Sequence, residues 1–184
     1  MKNFYPELPE VEYKKTTVGM PFVVLFAKTL IGKYPLEVVR MAYVIFRNES
    51  ANGKSGVNNN YCGIQADNAR WEGLDLTNVI GTSVKKDNFG DVRRFLCFNE
   101  KGYQACFEFL CYKFKQRGVY IGAENIEDSN KLALAYLTKW VGLSAKDAAT
   151  KTEDITNFKS LYKSSNRNII KDCFRFFRVF MVYW

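Results

Sequence analysis

The pattern of apolar and polar residues predicts helices at both ends of a short β-hairpin. Residues 21–31 are apolar and begin with a proline, which suits the first turn of a helix because its missing N–H has no partner there. Residues 36–49 also follow a proline and are apolar most of the way round a helical projection. A helix of that kind is usually buried. We therefore expect the second helix to lie in the core.

Two β-rich runs follow, at residues 79–84 and 92–98, with turn-forming residues between them. This arrangement is typical of a β-hairpin. Helical spacing of apolar residues returns at residues 103–114 and again at 130–141, and each run is followed by a glycine. The expected fold class is therefore mainly α (α+β), a helical domain with a small β-hairpin lobe.

Three regions are expected along the chain. Residues 1–19 contain two prolines and no period, which predicts an irregular N-terminal arm. Residues 20–143 carry the strong patterns and are expected to form one domain. Residues 144–184 begin with a polar stretch, interpreted as a linker or a helix with a weak apolar face, and end in an aromatic segment with interleaved basic residues.

The aromatic C-terminal segment, residues 169–184, has three interpretations. It packs back on the domain, docks on a partner protein or a second copy of the chain, or lies on a membrane as a basic amphipathic helix. We favour the first interpretation and rank the membrane interpretation last, because the basic residues leave no clean polar face. A protein partner bound through residues 169–184 is the second.

Composition narrows the chemistry. The 184 residues carry a formal net charge of +8, which suits an anionic partner such as a nucleic acid, an acidic wall polymer or a membrane surface, and also suits plain solubility. The absence of histidine excludes Ser-His-Asp and Cys-His catalysis and His-containing zinc sites. What remains is carboxylate, Lys or Tyr chemistry, or binding alone. We expect no cofactor and no metal. We also expect no nucleic acid partner, because the basic residues look scattered along the chain.

The five cysteines show no metal-binding spacing and are odd in number, so we expect reduced thiols of a chain made in a cytoplasm. They are Cys62, Cys97, Cys106, Cys111 and Cys173. The N-terminus shows no secretory signal, and no apolar run is long enough to span a bilayer. No transmembrane segment is therefore expected.

Glu49 is the leading candidate for chemistry. It ends the second helix, and Val38, Ala42 and Ile45 lie on the same helical stripe. An inward-facing carboxyl at a helix C-terminus has a raised pKa, because burial and the helix dipole both disfavour its charged form. A carboxylic acid that stays protonated near neutral pH is what a general acid needs. Residue type alone favours the alternative that Glu49 is an ordinary solvated glutamate at a frayed helix end, since most carboxylates lie at the surface; the loop that follows changes this balance.

The loop after Glu49 is rich in Asn, Gly and Ser, and amide groups suit the hydroxyl and N-acetyl groups of sugars. Residues 49–55 read ESANGKS and residues 58–64 read NNNYCGI. This stretch resembles the signature of the bacterial and phage endo-β-N-acetylglucosaminidases of the lysozyme-like superfamily. That signature is a buried helix ending in Glu-Ser, then Gly-Lys-Ser, Asn-Asn and Gly-Ile. The family often has Gly-Trp where this chain has Ala51-Asn52, which removes one aromatic contact to substrate.

The resemblance implies roles for individual residues. Glu49 matches the family's catalytic acid, and an acidic residue of the hairpin, Asp87 or Asp91, matches a proposed second carboxylate. The substrate-binding candidates that the resemblance implies are Ser50, Asn60, Gly63, Trp71 and Tyr120. For Asp87 and Asp91 an ordinary role in the turn is an equally good interpretation, and for Trp71 and Tyr120 so is a place in the core.

The resemblance implies a peptidoglycan glycosidase that acts on glycan strands of the cell wall, after lysis or as part of a phage particle. A lytic transglycosylase is a near alternative that needs a single Glu. A non-catalytic protein with a lysozyme-like domain, such as a component of a phage tail or secretion apparatus, is the alternative from another class.

Overall fold

The computed structural model describes residues 2–86, 90–121 and 128–171 and confirms a mainly α fold with a small β part. Its helices are α1 (Met20–Thr29), α2 (Leu36–Glu49), α3 (Gly102–Arg117), α4 (Ser129–Ala135), α5 (Ala145–Thr150) and α6 (Thr152–Ser165). Its strands are β1 (Lys15–Thr16), β2 (Gly56–Val57), β3 (Val79–Lys86) and β4 (Val92–Phe98). Across these ranges no helix has the length and apolar character needed to cross a membrane.

The chain forms two compact units. Unit 1 comprises Met1–Val23 and Ile45–Leu110, and unit 2 comprises Val24–Val44 and Cys111–Trp184. Unit 1 therefore holds the hairpin, the loop after Glu49 and the whole N-terminal arm. Unit 2 holds the first part of α2 and the C-terminal helices.

The predicted hairpin is present in unit 1. Strands β3 and β4 pair antiparallel from Val79 opposite Phe98 to Lys86 opposite Val92. The free edge of β4 is extended by residues 64–66, whose backbone bonds to β4 at two points. The edge of β3 is bonded in the same way by residues 9–11 of the arm. Both edges of the hairpin are therefore covered, which stabilises an element that is marginal by itself.

The N-terminal arm is part of unit 1, although little of it is regular. Strand β1 pairs with β2, so the arm bonds directly to the loop that follows Glu49. Tyr5 is fully buried, and its hydroxyl accepts a hydrogen bond of 2.7 Å from the Trp71 backbone N–H. The arm thus helps to fix the position of the loop.

Unit 2 is built around the start of α2. Residues 37–44 of that helix are all buried, as the all-round apolar pattern predicted.

The polar stretch from residue 144 onward is helical, the second of its two interpretations, and it forms α5 and α6. Phe158 of α6 stacks between Tyr136 and Tyr162, at ring-centre distances of 5.6 and 6.1 Å. A π-helical turn, Asn166–Lys171, follows α6. The aromatic residues 172–184 lie outside the described residues.

Candidate functional site

Glu49 is the last residue of α2, and it follows two residues, Ile45 and Phe46, that are fully buried. Glu49 itself is exposed, so the expectation of an inward-facing side chain is wrong. Protein atoms around the carboxyl nevertheless exclude enough water to raise its pKa above the usual value. Its side chain makes no hydrogen bond or ion pair with any residue that the structure describes. Water and a ligand can therefore reach one side of an acid that protein crowds on the other.

Ser50 turns the chain away from the helix. Its buried hydroxyl donates to the Phe46 carbonyl and accepts from the Gly53 N–H at 2.8 Å. Residues 51–53 all have positive φ angles, between 47° and 80°. A Cβ at Gly53 would lie 2.2 Å from the Val18 carbonyl oxygen, so only glycine fits this turn. The structure thus gives Ser50 a role in shaping the loop in place of the predicted contact with substrate.

Asn60 is also part of the scaffold. Its side chain is 2 % exposed, and its amide nitrogen donates to the carbonyls of Ile64 and Leu96, each at 2.9 Å. Its amide oxygen accepts the Ile64 N–H at 3.0 Å. Asn58 bonds in a similar way to two backbone groups of the arm. These amides, expected to recognise a sugar, satisfy the backbone of the loop, which the residue types alone do not distinguish.

Cys62 is the residue that sequence reasoning missed. It is half-buried, and its sulfur lies 3.8 Å from the Cys106 carbonyl oxygen. Burial raises the pKa of the Cys62 thiol well above its usual value, and the neighbouring Cys106 and Glu49 raise it further. The thiol is therefore neutral and close enough to Glu49 to feel its charge. The signal for it in the sequence is a small apolar residue within the second half of a polar loop.

No disulfide joins the four cysteines that the structure describes, as expected. Cys106 is buried, and its sulfur accepts the Tyr61 N–H at 3.3 Å. The Cys62 thiol interacts both with Cys106 and with Glu49. Cys173 lies outside the described residues.

Gly63 is the predicted binding residue that lies at the surface. Its φ angle is 66°, and a Cβ built on it would meet no atom within 4 Å. Its open side leaves room for a ligand to approach the backbone. Gly63 follows Cys62 directly, so the open backbone is adjacent to a thiol that interacts with Glu49.

The acidic candidates of the hairpin receive little support. Asp91 is exposed and forms a 3.2 Å ion pair with Arg93, which suits an ordinary turn residue. Asp87 lies outside the described residues. Asp67, which follows the loop, accepts the Arg94 N–H at 3.0 Å with one oxygen. Its other oxygen is buried and has no hydrogen-bond partner among the described residues, so Asp67 is a third candidate for a second acid.

The two aromatic candidates lie in different units. Trp71, in unit 1, is half-buried, its indole N–H donates to the Gln65 carbonyl at 2.6 Å, and its ring meets the edge of Phe109 at 5.8 Å. These contacts favour the interpretation that Trp71 covers the core. Tyr120 is half-buried and belongs to unit 2, whereas Glu49 belongs to unit 1.

Within the described ranges, no group of three or more Cys, Asp or Glu residues is arranged to hold a metal ion. The neighbouring group that interacts electrostatically with Glu49 is the Cys62 thiol.

Models of known protein families, curated proteins and solved structures give no match to this chain. The likeness to glucosaminidases consequently rests on the residues between Glu49 and Ile64 and on the order of the elements around them.

Proposed function

We propose that this protein cleaves glycosidic bonds in the glycan strands of bacterial peptidoglycan, with Glu49 as the general acid. One observation carries the proposal. Glu49 is open to solvent, has no partner among the described residues, and has a pKa that burial raises. A structural glutamate normally has a partner, whereas a general acid must be accessible and protonated at the working pH.

In the proposed reaction the Glu49 carboxyl donates its proton to the glycosidic oxygen, so that the leaving sugar departs as an alcohol. Positive charge then develops on the remaining sugar, as in other glycosidases. Either a second carboxylate or the N-acetyl group of the substrate stabilises that charge. Asp67, Asp87 and Asp91 are the candidates for the carboxylate. Once water has attacked the sugar, its proton restores the Glu49 acid.

A lytic transglycosylase is the second enzymatic candidate, and the state of Asp91 favours it. Asp91 is ion-paired and exposed in a turn, so it shows no sign of a catalytic role. A transglycosylase needs only the single acid, because a hydroxyl of the substrate attacks in place of water and an anhydro-sugar is released. The two enzymes differ in their products, which makes the distinction measurable.

A non-catalytic wall-binding or structural protein is the alternative outside enzymes. The internal roles of Ser50 and Asn60 favour it, because two predicted sugar contacts are used by the scaffold. In each of the three cases the proposed setting is the cell wall, reached after lysis or as part of a phage particle.

The test is digestion of purified peptidoglycan by the wild type, Glu49→Gln and Glu12→Gln, with the fragments read by mass spectrometry. Glu12 is a matched control, because it is an exposed glutamate of unit 1 whose side chain has no partner among the described residues. We expect Glu49→Gln to lose at least about a hundredfold in rate and Glu12→Gln to keep wild-type activity. Circular dichroism shows that each variant is folded.

The new chain ends of the released glycan fragments identify the reaction. A reducing N-acetylglucosamine indicates a glucosaminidase, a reducing N-acetylmuramic acid a muramidase, and an anhydro product a transglycosylase. If folded wild-type protein leaves walls of several types intact, the protein is not a glycosidase and the wall-binding alternative stands.

A further inference from the structure

The charge of the protein is divided unequally between its two units. Unit 1 carries eleven basic and eleven acidic residues, whereas unit 2 carries sixteen basic and eight acidic residues. The whole net charge of +8 therefore belongs to unit 2. Thirteen of the sixteen basic residues of unit 2 lie after residue 110, together with seven of its eight acidic residues.

Within unit 2, the outer face of α6 and the turn after it carries a basic stripe formed by Lys159, Lys163 and Arg167. All three residues are exposed and are spaced four apart, about one helical turn each. Lys159 and Lys163 are about 6 Å apart along the axis of α6, and Arg167 follows in the π-helical turn. None of them forms an ion pair or hydrogen bond with a residue that the structure describes.

The opposite face of α6 is fixed in the core of unit 2. Phe158 and Tyr162 are buried, and the Tyr162 ring lies 3.9 Å from the guanidinium of Arg40. Arg40 also donates to the Ser165 hydroxyl at 3.0 Å. Because these contacts hold the helix in one orientation, the basic stripe is presented outward on a rigid element.

The residues beside the basic stripe restrict the kind of anion. Thr152, Thr156 and Ser160 are exposed on the same side of α6, and the helix's two aromatic rings are turned inward. Among the described residues of α6, this face therefore offers positive charges and hydroxyl groups and no aromatic ring on which a nucleic acid base can stack. A polymer of phosphates and hydroxyl-bearing units matches that chemistry better than a nucleic acid does.

We propose that the basic stripe of α6 binds a linear polyol-phosphate polymer, with Lys159, Lys163 and Arg167 each pairing with a phosphate. Such binding is electrostatic, releases counterions and weakens as salt rises. The proposal depends only on unit 2 and holds whether or not Glu49 is catalytic.

The test measures binding of a synthetic glycerol phosphate oligomer to the full chain by isothermal titration calorimetry across a salt series. The stripe variant is Lys159→Gln/Lys163→Gln/Arg167→Gln. The matched control is Lys14→Gln/Lys15→Gln/Lys101→Gln, which removes three exposed basic residues of unit 1 and the same total charge. A third variant, Lys159→Arg/Lys163→Arg/Arg167→Lys, keeps the charge of the stripe.

We expect the stripe variant to lose at least tenfold in affinity and to reduce the slope of log affinity against log salt by about two. The control and the charge-preserving variant should stay within about twofold of the wild type. Equal losses in the stripe variant and the control overturn the proposal in favour of unspecific charge attraction. Absence of binding by the wild type at low salt overturns it outright.

Two competitors test the choice of partner. Binding of a DNA duplex and of vesicles of anionic lipid is measured with the wild type and with the same three variants. If either binds more tightly than the oligomer and depends on the same stripe residues, the partner is a nucleic acid or a membrane and the proposal is wrong. Circular dichroism confirms that the variants are folded. This control is needed because Lys163 lies in the last turn of α6, where a positive charge interacts favourably with the helix dipole.

Discussion

Glu37 and Glu49 stand at the two ends of α2, Glu37 in unit 2 and Glu49 in unit 1. Glu37 is 2 % exposed, and its carboxylate accepts the Ile121 N–H at 2.9 Å. Glu49 is exposed, and its side chain has no partner among the described residues. One helix thus carries a carboxylate that stabilises the fold through a hydrogen bond and a second carboxylate that has no such bond among the described residues. Because the Glu49 carboxyl is open to solvent and burial raises its pKa, Glu49 is the residue of the two to which we assign the proposed role of general acid.

The same contrast extends to the buried polar groups of each unit. Unit 2 buries a charged side chain, Arg40, against an aromatic ring and a hydroxyl. Unit 1 instead buries neutral amides and hydroxyls, among them Asn60 and Ser50, that satisfy a loop with several positive φ angles. Unit 2 therefore depends on a few strong interactions, and unit 1 depends on many weaker ones around its candidate site.

Arg40→Ala tests the dependence of unit 2 on its buried charge and should have the largest effect on stability. The substitution removes the stacking on Tyr162 and leaves the Ser165 hydroxyl without its donor, so we expect the free energy of unfolding to fall by about 3 kcal/mol. Chemical denaturation followed by circular dichroism measures it. Arg40→Lys should lose less, because it keeps the charge.

Lys159→Ala is the control for that experiment, since Lys159 is an exposed basic residue of the same unit. Its substitution should change stability by no more than about 0.5 kcal/mol. A similar loss from Lys159→Ala and Arg40→Ala would show that unit 2 does not depend on the buried contact.

Asn60→Ala tests the dependence of unit 1 on its amides. The carbonyls of Ile64 and Leu96 lose their side-chain donor, and the Ile64 N–H loses its acceptor, so we expect a loss of about 2 kcal/mol. Amide hydrogen exchange of Ile64 should become faster. Asn68→Ala is the control, because Asn68 is exposed and has no side-chain partner among the described residues. Unchanged exchange in Asn60→Ala would contradict the scaffold role.

The pH dependence of Glu49 gives the smallest effect and the most direct test of its role. Because burial raises the pKa of Glu49 in the folded state, the folded protein holds a proton that the unfolded chain releases. The stability that this proton provides is complete below the usual glutamate pKa and is lost as pH rises through the folded pKa. Glu49→Gln should therefore be more stable than the wild type at neutral pH, by less than about 1 kcal/mol, and equally stable below about pH 4.

Thermal unfolding of both proteins across pH measures this difference. Activity of the wild type on peptidoglycan should fall over the same pH range, since an ionised Glu49 has no proton to donate. A stability difference that is independent of pH would show that the pKa of Glu49 is not raised, and the general-acid proposal would lose its main support.

The sequence predicted most of the regular structure. The proline before α2 and its apolar stripe gave a buried helix ending at Glu49, and the turn residues between β3 and β4 gave the hairpin. These predictions succeed because periodicity and turn chemistry act within a few residues. The same local reasoning could not assign Ser50 and Asn60, since an amide or hydroxyl in a loop serves a backbone as readily as a ligand.

The sequence by itself determined the helices, the hairpin, the absence of histidine chemistry and the identity of the one acid at the end of a buried helix. Only the tertiary structure decided that Glu49 is exposed, that Cys62 is its neighbour, and that the excess positive charge belongs to one unit. The physical reason is that the local backbone follows from nearby residues, whereas exposure, pKa and charge density depend on which distant segments fold together.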